Sequence, residues 1–586
     1  MLLSGAGFSV TVGGMLIRAH QPWALLGLGV AAAAASAWAG GMGRVRADLE
    51  AAWAARESAA PWCAGGAVAF AVLVGLGQGT WAAGGADSYG YVSQSQLWRT
   101  GMLIQPQPLA RLAPWPSAEW TLSPLGYRPA VVPGAIVPTY PPGLPIAMAA
   151  ASSVAGFDAV FWVVPLLGGV AVWLTYRLGR HLVGPLPAGI GALLLAVSPV
   201  FLFQVVQPMS DVPVTAWWAG ALTGILAGHP LAAGLCAAGA VLTRPNLAPL
   251  TAWLLAGLVW RARTEGGSWA SAWRSAVLYG APVAAAAVGL AILNTRLYGH
   301  PMATGYGSVG ALFSQANVFI NLDHYVGWLW SVQTPFVFVA LLAPCLRGFG
   351  RGAGAPASSS AVRPWTTIFA LGFALLVFAS YLVYSPFAEW WYLRFLLPAL
   401  PILLVLATAV LLGPFAYAPA AARVPLIVVS LALLAGHHLA TAQRGQAFAL
   451  QAMERRYPAA GAYVAGALPP AAVLFAVQES GTLRLYGHRT TIRFDYIEPD
   501  GLDRAVAFLQ QAGYQPYFAL EDWEESQFRS RFASSSAFGR LDWPPAAEMG
   551  SPVKVRFYDP RDRARYLAGE HLRTVKDRDQ SSVDRR

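Results

Sequence analysis

Residues 395–414 read FLLPALPILLVLATAVLLGP, twenty consecutive positions without one charged side chain. As an α-helix that stretch is about 30 Å long, the thickness of the hydrocarbon core of a bilayer. A helix apolar on every side has no face to offer water, so it is either buried in a large core or it spans a membrane. Outward from it, comparable runs recur at 22–42, 61–83, 160–178, 185–205, 212–228, 246–261, 275–294, 324–346, 365–385 and 424–441, with a shorter one at 230–245. The expectation is a polytopic α-helical membrane protein with about 12–13 transmembrane helices.

Composition supports this. Charged residues make up 11% of the 586 positions and AVILMFWYC residues 56%, against about 25% charged in ordinary soluble domains. The charge is uneven. Of the 28 Asp and Glu, only ten precede residue 442, so the membrane part is expected to end there. The expected division is 1–60 (N-terminal span or spans and a cytoplasmic loop), 61–441 (a transmembrane catalytic domain with an external loop at 84–142) and 442–586 (a small soluble α/β domain). In the tail, AVLFAVQ (471–477), TTIRFDYI (490–497), YFAL (517–520) and VKVRFY (553–558) read as strands, and Asp503–Ala512 and Asp522–Phe532 as helices. QESGTLRLYGHR (478–489) reads as strand, turn, strand. The segment 350–363 is expected to be a flexible loop and the end after about 570 disordered.

A net charge of +11 does not signal nucleic acid here, because Arg carries nearly all of it and much of that lies in short loops between apolar runs. Cys63, Cys236 and Cys345 are far apart in apolar segments and indicate neither a disulfide framework nor a metal site. The first 17 residues lack a basic n-region and read as an extra span or half-span, not as a removed signal peptide.

Arginines retained on the cytoplasmic side set the orientation. With the 84–142 loop outside, Arg44, Arg46, Arg56, Arg177, Arg180, Arg261, Arg263, Arg274, Arg347, Arg351, Arg363 and Arg423 fall inside. Arg99, Arg111, Arg128, Arg244, Arg296 and Arg394 fall outside. This requires residues 143–157 to lie along or dip into the outer surface. Asp87, Glu119, Asp158, Asp211, Asp323 and Glu389 then share the outer side, as does the C-terminal domain.

The chemistry is sought on that side. GGADSYGYVSQSQLWRTG (84–101) places Asp87 just beyond a span, beside Tyr89 and Tyr91, which suit a sugar or lipid headgroup. A carboxylate there can take the proton of an acceptor hydroxyl within hydrogen-bond reach. An N-terminal helix Asp or an interfacial anchor gives the same pattern. Arg394 and Arg244, with Arg296 and His300 in NTRLYGHPMATGYG (294–307) behind them, suit a lipid phosphate, since guanidinium is always ionised and forks onto phosphate oxygens. Each is equally a snorkelling side chain or the partner of a carboxylate such as Glu389. Asp211 suits a metal, an acceptor or an Arg partner. Asp323 and His324 read as interfacial, and the adjacent His437 and His438 lack acidic neighbours.

The chain resembles the GT-C superfamily of membrane glycosyltransferases, in particular bacterial relatives of protein O-mannosyltransferases and lipid A aminoarabinose transferases. Asp87 matches their acid in the first large external loop. YPPGLP (140–145) resembles their Pro-Pro motif, with Tyr140 where the aminoarabinose transferases usually have a basic residue. QPMSDVP (207–213) maps a second acid to Asp211, LTRPN (242–246) resembles their Lys/Arg-Pro turn, and SPFAEWWYLRFLLPALP (385–401) maps an arginine to Arg394. The resemblance covers approximately 61–415.

It implies transfer of a sugar from a polyprenyl-phosphate-linked donor to an acceptor hydroxyl on the extracytoplasmic face of a bacterial inner membrane, with inversion. Asp87 and Asp211 would be catalytic. Tyr89, Tyr91, Tyr140, Arg244, Arg296, Tyr306, Glu389, Trp390 and Arg394 would bind substrate. The partners implied are the lipid-linked donor, membrane lipid and a glycan, lipid or protein acceptor. No cofactor is required by the sequence, and a divalent metal stays open. The competing reading is a transporter or flippase of a lipid-linked intermediate, for which Asp87 and Asp211 on opposite faces would speak; a non-catalytic scaffold is a third.

Overall fold

A computed structural model of the protein describes residues 8–12, 15–19, 41–264, 266–307, 309–345, 364–415 and 417–576. The expected loop at 350–363 lies outside the described residues, as does nearly all of the expected span at 22–42. Where the first 17 residues were expected to form a span or half-span, Phe8–Val12 (β1) and Met15–Ala19 (β2) pair antiparallel. Both strands are rich in β-branched and long apolar residues, which extended backbone accommodates as readily as helix does.

The chain then runs through α1 (Arg56–Gly77), α2 (Asp87–Thr100), α3 (Gly143–Ala155), α4 (Val163–Val183), α5 (Pro185–Ala196), α6 (Pro199–Val205), α7 (Asp211–Ala227), α8 (Pro230–Thr243), α9 (Leu250–Thr264), α10 (Trp269–Tyr298), α11 (Val318–Val332), α12 (Pro364–Leu382), α13 (Leu400–Phe415) and α14 (Ala420–Arg444). Among the described residues six helices are long and apolar enough to cross a membrane, or eight if each of two bent pairs is one span. The other expected runs form shorter helices, α7, α8 and α9, of 17, 14 and 15 residues. The segment expected to dip into the surface is α3, 13 residues long.

The bends have a sequence cause. α5 and α6 meet at 58°, where Ser198 stands before Pro199 in extended backbone (ψ 131°), the conformation that a following proline imposes. α11 and the 3-10 segment Pro335–Cys345 meet at 99°, again just before a proline. Trp218, Tyr176, Phe201 and Phe373 are among the large side chains buried in the bundle. α10 and α14 instead expose Val277, Val288, Ile292, Val428, Val429 and Leu433, a surface suited to lipid, not water.

Between α2 and α3 the chain forms a three-stranded antiparallel sheet, ordered Gln105–Pro106 (β3), Ala135–Pro138 (β5), Tyr127–Pro129 (β4). The C-terminal domain has a six-stranded mixed sheet, built from Ala472–Phe475 (β6), Thr490–Ile492 (β7), Gln515–Glu521 (β8), Ala547–Met549 (β9), Val555–Tyr558 (β10) and Val575–Lys576 (β11) in the order β11-β9-β10-β8-β6-β7. Helices α15 (Arg456–Ala467), α16 (Leu502–Gln511) and α17 (Asp522–Phe532) accompany it. The four expected strands are present. TTIRFDYI stops pairing at Ile492 and turns into a 3-10 segment. Residues 478–489 are not strand, turn, strand; Thr482–Leu485 is a helical turn.

This domain does not hang free of the bundle. Arg484 donates to the Leu122 carbonyl at 2.7 Å, the Leu125 N–H donates to Ser480 Oγ at 3.1 Å, and Trp120 stacks on Tyr496.

Candidate functional site

Asp87 is the first residue of α2, and its carboxylate makes no capping bond with that helix. It reaches outward: Tyr140 Oη donates to Oδ1 at 2.6 Å and Arg394 Nη2 donates to Oδ2 at 3.0 Å. Tyr140 precedes the Pro-Pro pair that leads into α3, and its ring lies where any side chain at residue 90 would stand. A Cβ on Gly90 would come within 2.1 Å of that ring, so the glycine is what lets Tyr140 pass over α2 to the acid. Arg394 comes from a 3-10 segment, Trp390–Ala399, that precedes α13, an unusual length for that conformation and often the mark of a functional segment.

One helical turn after Asp87, Tyr91 packs 4.5 Å from the Tyr140 ring and donates to Ser210 Oγ at 2.9 Å. Ser210 stands immediately before α7, which opens with Asp211. Asp211 accepts from Arg244 Nη2 at 2.6 Å, and Arg244 also donates to Tyr381 Oη at 3.2 Å and Ser210 Oγ at 3.4 Å. Both guanidiniums lie over one ring: Arg244 and Arg394 are 5.2 and 5.3 Å from the centroid of Phe395. Two acid–arginine pairs from four distant parts of the chain therefore face one space.

The two pairs are not equivalent. The Asp211 side chain is 1% exposed, whereas that of Asp87 is 33% exposed. Arg244 spends all three of its nitrogens on protein partners. Arg394 spends one, and among the described residues its buried Nε has no partner. A buried N–H with nothing to donate to is costly unless a ligand takes it. An entirely apolar groove of about 170 Å³ lies between α11, the 3-10 segment Pro335–Cys345, α12, the 3-10 segment Trp390–Ala399 and α13, lined in part by Leu329, Phe338, Phe378 and Leu396.

Tyr306 joins the cluster from its open side, edge-on to Tyr140 at 5.8 Å and 45% exposed. Four of the expected residues do not join it. Tyr89 lies roughly 200° round the helix from Asp87; it is buried against Gly481 and Tyr127. Trp390 packs edge-on to Phe203 of α6. Glu389 is exposed at the start of the 3-10 segment, so Arg394 pairs with Asp87 and not with it. Arg296 is exposed at the end of α10. Other residues inside the quoted motifs complete the site instead: Ser210, Phe395, and Asn246, whose amide donates to Tyr381 at 3.1 Å. Ser210 and Asn246 were legible as polar residues beside Asp211 and Arg244; Tyr381 was not, being one of several Tyr in an apolar run.

Each carboxylate already holds a guanidinium, and among the described residues no three His, Cys, Asp or Glu side chains come together. Asp87 and Asp211 are also joined through Tyr140, Tyr91, Ser210 and Arg244, not set on opposite faces.

Residues 133–216, which include Tyr140 and Asp211, match the family described as Oligosaccharyl transferase STT3, N-terminal. Solved structures similar to this chain include ArnT from Cupriavidus metallidurans bound to undecaprenyl phosphate, at 14% identity and a TM-score of 0.48, covering 80% of this chain and 94% of that one. The apo oligosaccharyltransferase from Archaeoglobus fulgidus follows at 12% identity and 0.49, covering 80% and 71%. AglB from the same organism, in complex with an inhibitory peptide and a dolichol-phosphate, is 12% identical with a TM-score of 0.47, covering 82% and 71%. No curated protein sequence matches the chain.

Proposed function

We propose that the chain is a membrane glycosyltransferase that moves a sugar from a polyprenyl-phosphate-linked donor to an acceptor hydroxyl on the extracytoplasmic face. The single observation that carries this is the Arg394 Nε, buried and without a partner among the described residues, on the guanidinium that holds the partly exposed carboxylate of Asp87. A lipid phosphate needs cationic donors and a base within reach, and an apolar groove that could take a lipid tail lies between α11, α12 and α13. The match of 133–216 to an oligosaccharyl transferase family agrees with it, and the arginine distribution supports the outward orientation of site and C-terminal domain.

Asp87 takes the acceptor's hydroxyl proton as that oxygen forms its bond to the anomeric carbon. The carbon–oxygen bond to phosphate breaks on the opposite face, which inverts the centre. The leaving lipid phosphate carries the electron pair away, and Arg394 stabilises the charge where it develops. Two hydrogen bonds to the Asp87 carboxylate fix its orientation and leave lone pairs for the incoming proton. Asp211, more deeply buried than Asp87, and Arg244 hold the Arg394 side of the site in place through Phe395 and Tyr381.

The test is a pair of variants in full-length protein. Arg394→Ala loses binding of polyprenyl phosphate, whereas Asp87→Asn keeps that binding and loses transfer. Wild-type transfer by Asp87→Asn overturns the proposal.

A further inference from the structure

Asp87 follows a pair of glycines, and what lies against them comes from the far end of the chain. A Cβ on Gly84 would fall within 1.9 Å of the Tyr457 ring, and one on Gly85 within 2.9 Å of Gln478 Nε2. Gly85 also has φ +60°, which side chains other than Asn and Asp rarely adopt. Tyr457 Oη, 3.6 Å from the same Gly85 position, accepts hydrogen bonds from Gln478 Nε2 and from Arg456 Nη2, each at 2.8 Å.

These residues are anchored behind. Arg456 Nε donates to Glu521 at 2.8 Å, and the Gln478 N–H donates to Glu524 at 2.8 Å. The segment entering α2 is held on its other side too: the Ala83 N–H donates to Tyr486 Oη at 3.0 Å, and Tyr89 packs onto Gly481. Residues 82–85 are buried throughout. A Gly-Gly run left to itself is the most freely turning backbone a chain can have. Here the C-terminal domain fills the space where a side chain at either glycine would stand.

We propose that Tyr457 and Gln478 are positioning residues for transfer: they clamp Gly84 and Gly85 and so hold Asp87 in register with Tyr140 and Arg394. The C-terminal domain thereby completes the reactive site from more than three hundred and fifty residues away. This rests on the assignment of Asp87 as the base. The reason a clamp matters is geometric. The base must meet a hydroxyl within hydrogen-bond reach, and a displacement of about 1 Å at a reacting group costs on the order of a hundredfold in rate. Asp87 stands three positions on from Gly84, so rotation at the glycines displaces its carboxylate.

The experiment uses Tyr457→Phe, Gln478→Leu and Asp87→Asn in full-length protein. Each is reconstituted with native envelope extract supplying donor and acceptor, and released polyprenyl phosphate is read by mass spectrometry. Both clamp variants are expected to lower kcat at least tenfold, with the KM for donor and the affinity for added polyprenyl phosphate unchanged. Amide exchange at Tyr89 and Gly90 should quicken. If Tyr457→Phe does not fold, Gln478→Leu, which keeps the Arg456–Tyr457 bond, decides alone. Lower thermal stability with wild-type kcat per folded molecule overturns the clamp and leaves Asp87 standing. Wild-type turnover by Asp87→Asn overturns both assignments.

Discussion

Replacing the two acids in turn should separate the structural pair from the reactive one. Asp211→Asn keeps the shape of the side chain but removes the charge opposing Arg244, at a position 1% exposed with its partner 12% exposed. Breaking a buried ion pair from one side costs about 3–5 kcal/mol, since the remaining charge stays desolvated. The bonds of Arg244 to Tyr381 and Ser210 survive, which points to the lower end, about 3 kcal/mol. Asp87→Asn leaves Arg394, 12% exposed like Arg244, but opposite a position that is 33% exposed, so water entering there solvates and screens the remaining charge and the cost is about 1 kcal/mol or less. The difference of roughly 2 kcal/mol is a factor of about 30 in the unfolding equilibrium. Reversible denaturation in mixed micelles, followed by tryptophan fluorescence, measures it. Asp211→Asn with Arg244→Met should return to within about 1 kcal/mol of wild type, because removing both charges removes the unpaired one. Equal destabilisation by the two single variants, or no rescue by the double, would refute the reasoning.

Two further outcomes are expected. Tyr140→Phe removes a 2.6 Å bond to the Asp87 carboxylate; bonds to charged groups are worth about 1.5–3 kcal/mol, so transfer should slow by roughly 10- to 150-fold with polyprenyl phosphate affinity unchanged, and a wild-type rate would rule out orientation by Tyr140. Burial pushes the Glu524 carboxyl from 4.5 up to about 7, with the charges of Glu521 and Asp495 adding to it against the hydrogen bonds from the Glu521 and Gln478 N–H groups. Glu479 is pushed well above the usual range the same way, by burial and then by Glu521, with Arg456 opposing and Glu524 and Glu454 adding. The folded state therefore holds protons that the unfolded chain has released. Stability contributed by Glu524 is complete below pH 4.5 and falls by roughly 3 kcal/mol as pH rises to about 7. Melting temperatures of full-length protein from pH 5 to 8 should fall, and fall less in Glu524→Gln; parallel slopes would contradict it.

Much of the architecture was legible because it is local. Twenty uncharged residues at 395–414 force a helix whatever surrounds them, and α17 was readable to the residue, since its acids cluster in the first turn and its arginines in the last, as the helix dipole favours. Where pattern was short, the reading failed: β1 and β2 fit strand or helix equally by composition, and residues 478–489 hold a helical turn at Thr482–Leu485, with Gln478 against Gly85 and Gly481 against Tyr89.

The sequence by itself determined that this is a chain of apolar helices with a charged α/β tail, and which acids and arginines stood at helix ends. Only the tertiary structure decided which of them meet. Asp87 and Arg394 are 307 residues apart, and nothing in either neighbourhood specifies the other. Their pairing arises because α2, the turn before α3 and the 3-10 segment before α13 converge on one end of the bundle. Burial then set the roles, leaving water access to Asp87 and denying it to Asp211, and it turned Tyr89 away from the site into the seam where the C-terminal domain grips the start of α2.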